Sequence, residues 1–119
     1  MEEMQHIAEQ WLKAYAYTVA TSNIDGHLEL VSPRLQVVGI SRSGFLEYRE
    51  WAKRRRNDIA KGRLLRVTHR RLELGACAAG RLRFRVEETL KSTRGETYVL
   101  DKDVVLNLDP DGKWREVEE

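Results

Sequence analysis

Apolar and polar positions alternate along GRLRFRVEETLK, residues 80–91. Leu82, Phe84, Val86 and Leu90 share one parity with Glu88, while Arg81, Arg83, Arg85, Glu87, Thr89 and Lys91 take the other. A period of two belongs to a strand with one core face and one wet face. Residues 96–108 repeat it: Tyr98, Leu100, Val104, Leu106 and Leu108 align with Lys102, and Thr97, Val99, Asp101, Asp103, Val105 and Asn107 alternate with them. A further strand is expected at 63–74, where Leu65, Val67 and His69 share one parity and Leu72 and Leu74 the other. That change of parity predicts a bulge. DPDG is a turn signal, and KWREVEE after it reads as a last strand.

Elsewhere the period lengthens. Over residues 2–20, Met4, Ile7, Ala8, Trp11, Leu12, Tyr15, Thr18 and Val19 recur on one helical face. TSN offers capping chemistry for a short second helix in IDGHLEL, Pro33 blocks its continuation, and RLQVVGI at 34–40 reads as a strand. Ser43 is the expected N-cap of a third helix that runs to about Lys61, with Gly62 as its C-cap and Phe45, Tyr48, Ala52 and Ile59 as its stripe. Trp51 lies alongside that stripe and Arg55 within it. GACAAG and STRG are read as connections between strands. The order ααβαββββ predicts an α+β domain, with helices packed on one face of a curved antiparallel sheet.

Composition narrows the classes. The chain has 119 residues and 41% apolar content, which fits one domain over 1–119. No apolar run approaches the ~18 residues of a membrane span, and the acidic start MEEMQHIAEQ has no signal-peptide core. The lone Cys77 cannot form an internal disulfide, so a cytoplasmic location is expected. A net charge of +2 with 34% charged residues argues against nucleic-acid binding. KRRR at 53–56 spans one helical turn and points in all directions, which makes it a solvated surface, with Arg55 the candidate for an anion site. No metal-ligand spacing, phosphate loop or G-x-S-x-G occurs, so no metal and no cofactor are expected.

Glu88 on a core face is the one chemical signal. Two strand registers match faces, and the one chosen places Arg85 opposite Asp101 and Arg83 opposite Asp103, which avoids setting Glu87 against Asp101. It also sets Glu88 opposite Tyr98 and Lys102 opposite Phe84. A carboxylate among apolar groups must be hydrogen-bonded, protonated or wet. Either Glu88 lines a pocket with Tyr98 and Lys102, where partial burial raises its pKa, or the strand end turns it to solvent. His69 is a second pocket candidate and a natural proton carrier. Trp11, Tyr15, Tyr48 and Trp51 are core-filling aromatics whose polar tips suit a pocket wall. His6 and His27 are expected on solvated helical surfaces.

The order of these stretches resembles the nuclear transport factor 2-like superfamily, which includes ketosteroid isomerase-like and polyketide cyclase-like proteins. The resemblance rests on the first helix with Trp11 and Tyr15, on NIDGHLELVSPRLQVVG, on SGFLEYREWAKRRR and on VVLNLDPDGKWREVEE. It implies a curved sheet wrapped round a long N-terminal helix, a cone with a pocket at its open end. It does not carry over a catalytic acid: the end of the first strand reads Gln36, Val37, Val38, Gly39, Ile40, Ser41, and Asp103 falls on the outer face. The expected function is binding of a small hydrophobic or amphipathic molecule. The alternatives are an isomerase, cyclase or dehydratase, and a homodimeric module that pairs through the outer sheet face.

Overall fold

Helix α1 (Glu2–Ala20) buries Ala8, Trp11, Leu12, Tyr15, Thr18 and Val19, the stripe its period predicts. The structure is a computed structural model that describes residues 2–38 and 45–119, apart from the Phe45 side chain. After α1 come α2 (Ile24–Leu28), β1 (Val31–Val38), β2 (Phe45–Glu47), α3 (Tyr48–Ala60), β3 (Arg66–Ala78), β4 (Arg81–Lys91), β5 (Thr97–Leu108) and β6 (Trp114–Glu118). Asn23 caps α2, its side-chain oxygen accepting the Gly26 N–H at 3.0 Å. No described helix is long and apolar enough to cross a membrane.

The strands form one curved, unclosed sheet in the order β2-β1-β6-β5-β4-β3. The β3–β6 meander is antiparallel, and β1 joins it parallel to β6. Helix α1 lies on the concave face. There Trp11, Tyr15, Val67, Phe84, Val86, Val104 and Leu106 form one core. Leu82, Phe84 and Leu106 are fully enclosed, and each such burial stabilises by about 1.5–3 kcal/mol. A second core under α3 holds Leu28, Val31, Leu35, Val37, Leu46 and Trp51.

Several boundaries depart from the expectation. β1 starts at Val31 and runs through Pro33, while the expected strand tail at 39–40 and the Ser43 cap lie outside the described residues. Helix α3 begins at Tyr48, with Glu47 in the N-cap position. The residues just before it pair with β1, Leu46 against Val37, and Leu46 is buried. An apolar side chain ahead of the helix thus finds its burial in the sheet. GACAAG is mostly strand: Cys77 pairs with Leu82 and Ala78 with Arg81, which leaves Ala79 and Gly80 (φ +71°) for the turn. The predicted β3 bulge falls between Arg70 and Glu73, with Arg71 at φ +59°.

The β4–β5 register is the one set aside on charge grounds. Arg85 opposes Asp103, and Glu87 opposes Asp101. Gly95 at φ +82° belongs to the turn, so Lys91 pairs with Thr97 and residues 92–96 form the loop. Arg70 reaches across from β3 to Glu87 and offsets the facing carboxylates, with Arg71 at 3.5 Å from the same group. Glu88 therefore opposes Leu100, and Lys102 opposes Val86. β6 carries a bulge of its own. Glu116 pairs with Leu106 and Glu118 with Val105, so Val117 is the extra residue. Glu118 faces outward to Arg83 at 3.8 Å, and Glu119 turns inward to Lys102 at 3.1 Å.

Candidate functional site

Tyr15 projects from α1 into the centre of the concave face and is fully buried. Its ring lies 5.1 Å from Trp11, 4.5 Å from His27 and 5.7 Å from His69. The Arg55 guanidinium sits 5.7 Å from the Tyr15 ring centre and 5.2 Å from that of Trp51. Lys102 Nζ donates to the Tyr15 hydroxyl at 3.3 Å.

A ladder of charge runs beside this ring. His69 stands directly opposite Glu88 in the β3–β4 pairing, and Lys102 lies diagonally across from it, two residues beyond Leu100. Strand geometry therefore brings all three onto one face. His69 Nε2 donates to Glu88 Oε2 at 2.8 Å, and Lys102 Nζ donates to the same oxygen at 3.2 Å. Burial alone would push the Glu88 carboxyl up, but Lys102, His69 and Arg55 together hold it at about 2. This reverses the raised pKa expected from burial: the partners win over desolvation. Burial would likewise lower Lys102, yet Glu119, Tyr15 and Glu88 keep it well above the ordinary lysine value.

Three groups absent from the sequence expectation complete the interior. His27, expected on the surface, is fully buried. The Thr18 hydroxyl donates to the Tyr15 carbonyl at 2.9 Å, so it accepts from His27 Nδ1 at 2.9 Å. Burial, Arg55 and Lys102 lower His27 to about 3, which keeps the ring neutral. Glu116 is fully buried, and no donor among the described residues reaches its carboxyl oxygens. Burial and the neighbouring Glu119 raise its pKa well above the carboxylate range, which favours the protonated form. The inward turn of Glu119 depends on the Val117 bulge, which nothing in REVEE announces; the burial of His27 depends on α3 lying over α2.

The other expected pocket residues scatter. Tyr98 is 58% exposed, because the register carries it past the end of the covered face, and its hydroxyl donates to Glu96 at 2.9 Å. Tyr48 is half-buried and packs on the second core. Trp11 donates from Nε1 to the Leu30 carbonyl at 3.1 Å, which ties α1 to the segment after α2. A groove of about 460 Å³ opens between α1 and β3, lined by Leu12, Ala16, Val67, Leu72, Val86 and His69 among others. Among the described residues no cluster could hold a metal ion.

No protein-family model matches this sequence, and no curated protein matches it. Solved structures do. An NTF-2 like protein of unknown function from Shewanella oneidensis MR-1 aligns with a TM-score of 0.78 at 12% identity, over 96% of this chain and 94% of that one. The chain has the nuclear transport factor 2-like cone fold. A cystatin-like fold protein of unknown function from Nostoc punctiforme PCC 73102 matches this cone with a TM-score of 0.71 at 8% identity, over 96% and 86% of the two chains. A candidate scytalone dehydratase from Novosphingobium aromaticivorans DSM 12444 gives 0.71 at 13% identity, over 99% and 85%. Within the cone, Tyr15 marks the axis. Arg55 with Trp51 stands on one side of it, and His69 with Glu88 on another.

Proposed function

We propose that this cone binds a small amphipathic molecule, with its apolar body in the α1–β3 groove and its polar group on His69. The supporting observation is the position of His69 between two environments. Its Nε2 is tied to buried Glu88 at 2.8 Å, and its ring lines a groove of about 460 Å³. That volume lies within the range of small-molecule sites. Leu12, Ala16, Val67 and Val86 supply apolar contacts. With Nε2–H given to Glu88, Nδ1 is the ring atom left for a ligand. The test is titration with 2-naphthol, whose fused rings and hydroxyl fit this description. Saturable binding to the wild type and its loss in Ala16→Trp, which fills the groove, are expected. Equal behaviour of the two proteins would end the proposal.

A second reading is proton transfer. A histidine oriented by a buried carboxylate is the usual arrangement of a general base, and a candidate dehydratase is among the structures that share the fold. Elimination of water from a β-hydroxy carbonyl compound, lost in His69→Gln, would favour this reading over binding alone. Self-association through the outer sheet face is a narrower expectation. Val99 is exposed there, but Arg85 pairs with Asp103 and Arg83 with Glu118 within one copy. A monomeric sedimentation profile would rule it out.

A further inference from the structure

Arg55 is half-buried and makes no hydrogen bond or ion pair with any described residue, although its helix neighbours do. Arg54 reaches Glu50 at 3.4 Å and Arg56 reaches Asp25 at 3.8 Å. The more enclosed cation is the one without an acceptor, which inverts the usual rule that removal from water demands a partner. The interior carboxylates do not supply one. Glu88 and Glu119 are both bonded to Lys102, and no donor among the described residues, Arg55 included, reaches the Glu116 oxygens. What Arg55 does have is aromatic: the Tyr15 and Trp51 rings flank its guanidinium at 5.7 and 5.2 Å. Contact with a ring face offsets part of the desolvation and leaves the in-plane N–H donors free.

We infer that Arg55 is the seat of a small carboxylate ligand, held by the free edge of the half-buried guanidinium. A planar cation presents paired N–H groups at the spacing of the two oxygens of a carboxylate, which is why arginine selects that group. The charge state follows from the surroundings. Glu88 and Glu119, which share the Lys102 cation, repel added negative charge nearby, so a monoanion is favoured over a phosphate dianion. This seat is separate from the His69 groove and does not rest on it.

Benzoate is the probe, with benzamide as its neutral isostere, and the readouts are tryptophan fluorescence and the NMR resonance of Arg55 Nε–Hε. Saturable benzoate binding that moves this resonance is expected, with benzamide weaker by about tenfold or more. Arg55→Met keeps an apolar stem over the rings, and it loses benzoate affinity by about tenfold or more; Arg55→Lys, which keeps the charge without the fork, falls between. Equal affinity for benzoate and benzamide overturns the inference, as does undiminished benzoate binding by Arg55→Met. An Arg55 resonance unmoved at about 10 mM benzoate overturns it without any variant. Because 2-naphthol reports on the groove, its binding in the absence of benzoate binding sinks this seat alone.

Discussion

The Glu88 carboxylate and the Lys102 ammonium meet at 3.2 Å, with no more than 4% of either side chain exposed. Both come from strand positions with a core valine two residues away, Val86 beside Glu88 and Val104 beside Lys102. A well-packed apolar pair would hold the sheet at least as well, because desolvation consumes most of what a buried ion pair gains. The pair is thus better explained by what it positions, the His69 ring on one side and the Tyr15 hydroxyl on the other, than by stability.

Once made, however, the pair is costly to break. Lys102→Met leaves Glu88 and Glu119 without their shared cation and is expected to destabilise by about 3–5 kcal/mol. Glu88→Gln keeps the shape and an acceptor and costs less. Urea unfolding of both single variants and the double variant gives the coupling. Additive losses would show that the two side chains do not interact.

Acid sensitivity should come in two stages. His27 falls from an ordinary value of 6.5 to about 3 in the folded chain, so its contribution is complete above 6.5 and is lost as pH drops towards 3. Glu88 falls from 4.5 to about 2, so its contribution is complete above 4.5 and disappears towards 2. The second stage is on the order of 3 kcal/mol. His27→Asn, whose amide can still donate to Thr18, should flatten the upper stage only, and Glu88→Gln the lower only. Unfolding free energies measured at stepped pH decide this, and a variant curve parallel to wild type would remove that group from the account.

Glu116 acts in the opposite direction. Its raised pKa means that its contribution is complete below 4.5 and is lost as pH rises towards the folded value. Glu116→Gln replaces a protonated carboxyl with a neutral group of similar shape. The variant is expected to be at least as stable as wild type at about pH 8 and to show a flatter profile from about pH 5 upward. A loss of stability at the alkaline end would mean that the carboxyl is ionised and paired after all.

Period and turn chemistry were enough to read the elements that bury a face by themselves: α1, β4, β5 and the β3 bulge all follow from spacing. Pairings settled by two competing local effects were not legible. Opposed charges favoured one β4–β5 register, but the turn that holds Gly95 at φ +82° belongs to the other, in which Arg70 on a third strand reaches Glu87. The same limit hid half of the site. Glu88 and Lys102 were visible as polar residues on apolar parities. His27 and Glu119 were not, since one faces inward through helix packing and the other through a bulge.

Arg71 offers a test of that bulge. Its φ of +59° is a left-handed conformation in a residue with a Cβ, which costs roughly 1 kcal/mol relative to glycine. Its ion pair with Glu87 is 3.5 Å long, and the arginine side chain is 72% exposed, so the pair contributes little; Arg70 still holds Glu87. Arg71→Gly is therefore expected to leave the protein as stable as wild type or more stable, by up to about 1 kcal/mol. Arg71→Val, with a β-branched side chain in the same conformation, should lose about 1 kcal/mol or more. Because the bulge forms one wall of the His69 groove, the valine variant should also weaken 2-naphthol binding while the glycine variant preserves it. Chemical denaturation and the naphthol titration check the two halves separately. If Arg71→Gly is the less stable variant, the backbone at this position is not left-handed, and the bulge does not shape the groove as described.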